Sequence, residues 1–525
     1  MTMHDQAPRA GRREWIGLAV IALPSLLYSM DLTVLNLAVP QLSAELRPSA
    51  SQLLWIVDIY GFMIAGCLIT MGTLGDRIGR RRLLLIGAAA FGLASILAAF
   101  AHSAGTLIAA RAILGVAGAT LAPSTLSLIR NMFLDPRQRT AAIGIWIASF
   151  SAGGAIGPLV GGVMLEHFWW GSVFLINVPV MVLLLALGPV LLPEFRDPNA
   201  GRLDLVSAAM SLVSVLAVIY GLKRIAEDGL GRLPTMVILA GMALAGLFLR
   251  RQARLAEPLV DLALFRSRAF SAALTINILG FFIAFSSFLF TAQYLQLVLG
   301  MKPLEAGLWS LPSAFGFIVG SMLAPRIVGS ASPAHVMAGG FALTALGFAT
   351  LAGISHVEGP MIIVAGTVLL SLGLAPIVTL TTDLVVGSVP PERAGTASGL
   401  SETSAEFGGA LGIAILGSVL TALYRYQMGL AVPSGVPPEA AAAARDTLGG
   451  ALTIAKDLSG TAGADLLATA RAAFTRSFAI TAGLCSALAM VAGLFAVVML
   501  RGVGGGPDQH DEARGSDAVP APVAR

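Results

Sequence analysis

The chain has 525 residues, 56% of them hydrophobic and only 12% charged, with a mean hydropathy of +0.83; an average soluble domain is about 45–50% apolar and about 25% charged. Such a composition excludes a soluble globular enzyme and requires a polytopic membrane protein. The net charge of +4 is small and its positive residues are scattered along the chain, which argues against nucleic acid as a partner.

The opening, "MTMHDQAPRAGRREW", is polar and basic, and residues 1–14 are expected as a cytoplasmic N-terminus. The apolar run behind it lacks a small-residue cleavage site, so it is expected as a retained span rather than a signal peptide. Six apolar runs follow in close succession, at 15–38, 53–74, 83–101, 106–129, 141–165 and 172–192, predicting a six-helix bundle over 15–192. Two more, 203–222 and 234–249, form an inserted pair over 203–249. "RRQARLAEPLVDLALFRSRAF", 250–270, reads as a basic amphipathic linker on the cytoplasmic surface, where arginines meet anionic headgroups.

A second bundle over 271–500 takes the runs 271–295, 306–327, 336–354, 361–386, 396–424 and 477–500. Before its last span the helical patterns "PPEAAAAARDTLGGALTIAKDL" and "GADLLATARAAFTR" predict an extracytoplasmic helical hairpin within 425–474. Residues 501–525, rich in Gly, Pro and charge, read as a disordered cytoplasmic tail. The fold class expected is therefore all-α, with fourteen transmembrane helices.

With the N-terminus inside, the inner segments hold 22 of the 33 Lys and Arg residues and the outer ones 10, which places both termini in the cytoplasm. A faint internal echo relates "LGDRIG" after span two to "LAPRIV" after span ten, pairing Leu74, Arg77 and Ile78 with Leu323, Arg326 and Ile327. It suggests two related six-span units separated by the inserted pair.

Three strings carry sharper signals. "GTLGDRIGRRRLL" holds Gly72, Asp76, Arg77, Gly79 and Arg80 in a short inner loop, where glycines allow tight turning and the charges can latch helix ends. Arg111, in "LIAARAILGVAGA", sits well inside span four, where an unpaired guanidinium is costly. "GGAIGPLVGG" puts Gly153, Gly157 and Gly161 on one helical face beside Pro158 and Gly162, an arrangement for close helix packing and a kink. These strings resemble the loop, fourth-span and fifth-span signatures of the major facilitator superfamily, with Gly75 where the loop signature often has Ala. The last of them, with fourteen spans, resembles its drug:proton antiporter branch.

"LLWIVDIYGFMIAG" and "HFWWGSVFLINVP" further resemble exporters of quaternary ammonium compounds of the QacA and SmvA kind. The resemblance implies two six-helix bundles plus two inserted helices, a bacterial inner-membrane location, and export of lipophilic organic cations by alternating access. It also implies that the proton gradient is the energy source, that no cofactor or metal is used, and that the protein works as a monomer. Arg111 would assist proton coupling, and the loop and glycine motifs would shape the conformational switch.

Buried carboxylates are the candidate binding groups. Asp31, in "LLYSMDLTVLNLAVP", lies about sixteen residues into span one, on the order of 24 Å from the inner end at the usual helical rise. An acid at that depth persists mainly where it faces a cavity or pathway. Glu402 and Glu406, in "GLSETSAEFGGALG", fall four residues apart on one helical face. Two carboxylates so close in a low dielectric disfavour double ionisation, as drug and proton exchanging on one site requires. The alternative is a structural pair bonded to hydroxyls such as Thr403 and Ser404. Asp58, near the outer end of span two, is expected in outer access or drug contact, or else as a rim carboxylate. Asp383, near the inner end of span twelve, fits a cap, a snorkelling side chain or an inner-gate contact and is left outside the core site. Phe281, Phe282, Phe285, Phe288 and Phe290, with Trp55, Tyr60 and Trp309, could wall a cation site.

Two rival readings are an exporter of a neutral or anionic metabolite or antibiotic with the same fold, and a membrane sensor or scaffold that does not transport. An enzyme is disfavoured: the chain has no P-loop and no dinucleotide fingerprint, and His102, His167, His335 and His356 are isolated.

Overall fold

The computed structural model describes residues 8–48, 50–196, 204–228, 231–255, 258–328, 331–356, 359–431, 436–458 and 462–501, and among them it is helical throughout, without strands. The first bundle comprises α1 (Arg12–Leu46), α2 (Ala50–Ile78), α3 (Arg80–Ala99), α4 (Ala104–Met132), α5 (Pro136–His167), α6 (Ser172–Leu175) and α7 (Asn177–Leu191). The short α6 and α7 together make the sixth expected span. They are divided because Pro179 has no N–H to donate to the carbonyl of Leu175. The inserted pair is α8 (Leu205–Asp228) and α9 (Arg232–Gln252).

The second bundle holds α10 (Arg268–Gln293), α11 (Pro303–Val328), α12 (Pro333–Ala352), α13 (Met361–Gly387), α14 (Ala394–Ala431) and α17 (Ala462–Met499), with the short α15 (Pro438–Asp446) and α16 (Leu448–Asp457) between the last two. Among the described residues thirteen spans have the length and hydropathy to cross a membrane. α1, with 35 residues, has the length of a fourteenth.

The bundles repeat one packing pattern. α1 lies on α5, α2 on α4, and α3 on α4 and α7; correspondingly α10 lies on α14, α11 on α13, and α12 on α13 and α17. The echo between "LGDRIG" and "LAPRIV" thus falls at the ends of equivalent helices, α2 and α11. Each bundle has its own apolar core, centred on residues such as Phe91, Leu114 and Trp146 in the first and Phe341, Leu374 and Ala489 in the second. The bundles meet chiefly through α2 with α14 and α5 with α11, while α8 packs against both α2 and α14.

Two expected segments differ from their prediction. The outer connection holds the short helices α15 and α16, but its bounds are narrower than expected, because α14 runs on to Ala431 and α17 begins at Ala462. Leu466, Ala470, Ala473 and Phe474 continue the buried face of α17 without a helix breaker, so this stretch extends the span. The preceding stretch splits into α15 and α16 at Thr447, an extended N-cap whose side chain accepts from the Gly450 N–H at 3.0 Å.

The linker 250–270, expected as a surface segment, is partly packed into the fold. α9 ends at Gln252 and Pro258 disfavours helix, so the chain extends to a 3-10 turn at Leu262–Arg266. Its Leu259 and Val260 are buried against Ile69 and Phe248, and the Thr73 hydroxyl donates to the Leu259 carbonyl at 3.1 Å. Arg250, Arg254 and Arg266 remain exposed. Just before α8, the Ser207 hydroxyl and Arg251 donate to Asp204 and hold its carboxyl down to about 2. The tail beyond Arg501 lies outside the described residues.

The fifth-span glycines divide by function. A Cβ on Gly153 would stand 2.0 Å from the Leu26 carbonyl oxygen, and one on Gly161 2.8 Å from Val34, so α5 lies directly on α1 there. Gly157 is buried on the same face, Pro158 lies in the helix with its side chain outside the described residues, and Gly162 faces open space. Gly153→Val is expected to destabilise by about 1–3 kcal/mol through overpacking, whereas Gly162→Ala should hold or raise stability by up to about 1 kcal/mol. Thermal melting of the two variants in detergent checks the contrast.

Candidate functional site

The basic end of the molecule, where α2 and α13 finish and α14 begins, is closed by two polar clamps. In the first, Asp76 and Arg80 are both buried. Arg80 donates to Asp76 Oδ1 through Nε at 2.9 Å and Nη2 at 2.7 Å. The same carboxylate accepts from the backbone N–H groups of Gly395 at 2.9 Å and Thr396 at 2.8 Å and from the Thr396 hydroxyl at 3.0 Å. It therefore caps the N-terminus of a helix in the other bundle, where unsatisfied N–H groups and the helix dipole favour a negative charge. Arg80 Nη2 extends the clamp to the carbonyls of Pro391 at 2.6 Å and Glu392 at 2.8 Å.

The close approach needs glycine on both sides. A Cβ on Gly72 would stand 2.3 Å from the Gly395 oxygen, and one on Gly395 2.4 Å from Asp76 Oδ1. Gly79 turns the chain between α2 and α3 at φ +108°, a backbone region open mainly to glycine. Arg77 lies partly buried at the end of α2. Glu194, which the sequence did not single out, caps α3 by accepting from the N–H groups of Arg81 and Arg82, each at 3.1 Å.

The second clamp is made by Asp383. Arg139 Nε donates to it at 2.6 Å and the Thr140 hydroxyl at 2.7 Å, tying α5 to α13. Of its expected roles, this is the contact between bundles.

Deeper in the first bundle, Arg111 and Asp31 are buried together, with Arg111 Nη1 3.3 Å from Asp31 Oδ2. The guanidinium carbon also lies 5.2 Å from the centre of the Tyr60 ring and 5.9 Å from that of Phe174. Each charge offsets the other's desolvation, and removing one partner of such a buried pair costs about 3–5 kcal/mol.

Glu402 and Glu406 are half-buried on α14. The Tyr28 hydroxyl donates to Glu406 Oε1 at 3.2 Å, joining α1 to α14 across the interface. The hydroxyls that could have made the glutamates a structural pair go elsewhere: Thr403 donates to the Gly399 carbonyl and Ser404 to that of Ser401, each at 2.7 Å. Among the described residues Glu402 has no hydrogen-bond partner and no ion pair.

Aromatic rings connect the two carboxylate centres. Tyr28 lies 6.2 Å from Tyr60 and 5.5 Å from Phe150, which stands 4.8 Å from Trp146. Tyr28 and Tyr60 thus bridge from the Arg111–Asp31 pair to Glu406. Of the other expected aromatics, Phe281 packs against the first core and lies 5.9 Å from Phe285. Phe290 is buried in the second core, Phe282 and Trp309 pack against it, and Phe288 and Trp55 are exposed.

Among the described residues Asp58 makes no hydrogen bond or ion pair to Asp31, Arg111, Glu402 or Glu406. It forms an ion pair with Lys223 of α8, on the side facing the inserted helices. Tyr28, Arg139, Glu194 and Lys223 are residues the sequence did not mark. Only the acidic partners of Tyr28, Arg139 and Lys223 stood out there, as charges in apolar runs.

The family described as Major Facilitator Superfamily matches residues 21–413. The chain is 44% identical over 493 residues to the multidrug efflux pump LfrA of Mycolicibacterium smegmatis, covering 94% of this chain and 97% of that one. It is 35% identical over 469 residues to the methyl viologen resistance protein SmvA of Salmonella typhimurium, covering 89% and 94%. It is also 36% identical over 423 residues to the tetracenomycin C resistance and export protein of Streptomyces glaucescens, covering 79% and 78%. A solved structure, the human organic anion transporter MFSD10, superposes with a TM-score of 0.61 at 16% identity over 92% of this chain and 99% of that one, a likeness of fold.

Two outcomes follow from this geometry. Asp31→Asn should lower stability by about 3–5 kcal/mol by leaving Arg111 charged and unpaired, while Asp31→Asn with Arg111→Met should recover much of it; thermal melting of the single and double variants measures the coupling. Combining Asp76→Ala with Asp383→Ala should open the basic end. Spin labels at exposed Arg82 and Arg266 should then show a longer, broader distance distribution than in wild type.

Proposed function

The chain belongs to the major facilitator superfamily, and we propose that it is a proton-coupled antiporter exporting lipophilic organic cations, such as quaternary ammonium compounds and dyes, across a bacterial inner membrane. It is a multi-pass membrane protein of a transporter superfamily, not an enzyme. In this reading both termini are cytoplasmic, the basic end faces the cytoplasm, and the protein works as a monomer in the bilayer without a cofactor.

The observation that carries the reading is the placement of Glu402 and Glu406 at the bundle interface, with Glu406 held by Tyr28 of the opposite bundle. A cation entering there meets carboxylates in a low dielectric with aromatic faces beside them, which attract organic cations without requiring one fixed shape. Protonation of the same carboxylates removes that attraction. Drug and proton then compete for one set of groups, and release of one accompanies binding of the other.

The two clamps suit a switch between states. In the conformation described here Asp76 and Asp383 clamp the basic end, which in this reading is the cytoplasmic one. Opening inward breaks both clamps and exposes the α14 N-terminus. The Arg111–Asp31 pair, linked to Tyr28 through Tyr60, gives the first bundle a charge pair that protonation of Asp31 would uncouple.

The names of relatives support drug efflux: a multidrug efflux pump and a methyl viologen resistance protein. The tetracenomycin C resistance and export protein of Streptomyces glaucescens keeps a second reading, export of a neutral or anionic metabolite or antibiotic. Everted vesicles given a fluorescent dication in the medium decide between them. The cation reading expects uptake that disappears on collapsing the pH gradient and falls at least tenfold in Glu402→Gln. Uptake that survives that collapse overturns proton coupling, and a Glu402→Gln protein that transports as wild type favours the metabolite.

A further inference from the structure

We infer that Lys223 is a tethered cation that occupies the outer carboxylate Asp58 in the empty transporter and must be displaced by an organic cation binding there, which makes it a specificity-determining residue contributed by the inserted helices. The inference rests on the cation-export reading and goes beyond it, because it assigns the inserted pair a direct part in substrate selection.

Lys223 lies in the last turns of α8, and its ammonium donates to Asp58 of α2. The same nitrogen stands 4.7 Å from the centre of the Phe62 ring. Phe62 in turn contacts Trp55 edge-on at 6.2 Å and Tyr220 at 6.5 Å. A carboxylate beside an aromatic face is the chemistry that recognises a quaternary ammonium group, and here the occupant is the chain's own ammonium. A lysine suits a displaceable occupant. It is a point charge on a flexible four-carbon stem, whereas an arginine fork would bind the carboxylate bidentately.

The pair is accessible rather than sealed: the side chains of Lys223 and Asp58 are 37% and 22% exposed. It is also continuous with the main site. Phe62, Ala65 and Ile219 pack against Ala410, one turn beyond Glu406 on α14, and Lys223 lies close enough to interact electrostatically with Glu406. A cation leaving Glu406 outward therefore passes a carboxylate already held by a competitor. A monocation can leave Lys223 in place, while the second charge of a dication needs Asp58 itself.

Calorimetric binding of tetraphenylphosphonium and of a bis-quaternary ammonium dication to purified full-length protein tests this. Lys223→Gln should tighten the dication about tenfold and the monocation much less, Lys223→Arg should weaken the dication, and adding Asp58→Asn to Lys223→Gln should abolish the gain. A second measurement uses wild type alone. The dication should raise the rate at which an amine-reactive ester modifies Lys223, read by mass spectrometry with Lys302 and Lys456 as internal references. An unchanged dication affinity in a Lys223→Gln protein that melts as wild type, or a modification rate that stays level or falls, overturns the inference. Failure of wild type to bind either cation overturns the export reading instead.

Discussion

A buried carboxylate in one bundle that caps a helix of the other is the constraint on which the rest of the arrangement depends. Asp76 accepts five hydrogen bonds, two from Arg80 and three from the first residues of α14. In an apolar interior neither the acid nor the helix end can be left without partners at small cost. The glycines at 72 and 395 follow from that need, since any side chain there would hold the helices too far apart for the bonds to form.

The same rule orders the other charges. Arg111 and Asp31 neutralise each other inside the first bundle, Arg139 and Asp383 across the interface, and Lys223 and Asp58 between the first bundle and the inserted pair. Glu402 stands apart from this scheme, lacking such a partner among the described residues. A carboxylate kept in a half-buried site without a fixed counterion is suited to an exchangeable one. That contrast, rather than the presence of acids in spans, sets Glu402 apart from the carboxylates that already hold a cation of the chain.

The inserted helices are part of the interface instead of a peripheral addition. α8 touches α2 and α14, and the strap behind α9 reaches Thr73 on the α2 face and, through Asp261, Arg393 just before α14. Both carry polar contacts to the helices whose approach closes the basic end. The linker's Leu259 and Val260 are used in that packing, while Arg250, Arg254 and Arg266 remain at the surface.

The sequence by itself determined the class of protein, the helical spans, and the residues worth asking about. Long apolar runs in a bilayer leave helices as the only economical backbone, and every charge inside such a run is conspicuous, which is why Asp31, Arg111, Glu402 and Glu406 could be read directly. The loop and fifth-span motifs were legible because glycines at helical spacing leave a pattern in one dimension. Pairing left none. That Asp76 caps α14, that Asp58 belongs to Lys223, and that Tyr28 reaches Glu406 depend on residues 165 to 378 positions apart in the chain, brought together only when the bundles pack. The bounds of the outer helices are hidden in the sequence for a related reason. Local periodicity marks helices, but whether two adjoining ones fuse, as in α17, depends on a continuous buried face that exists only against the rest of the second bundle.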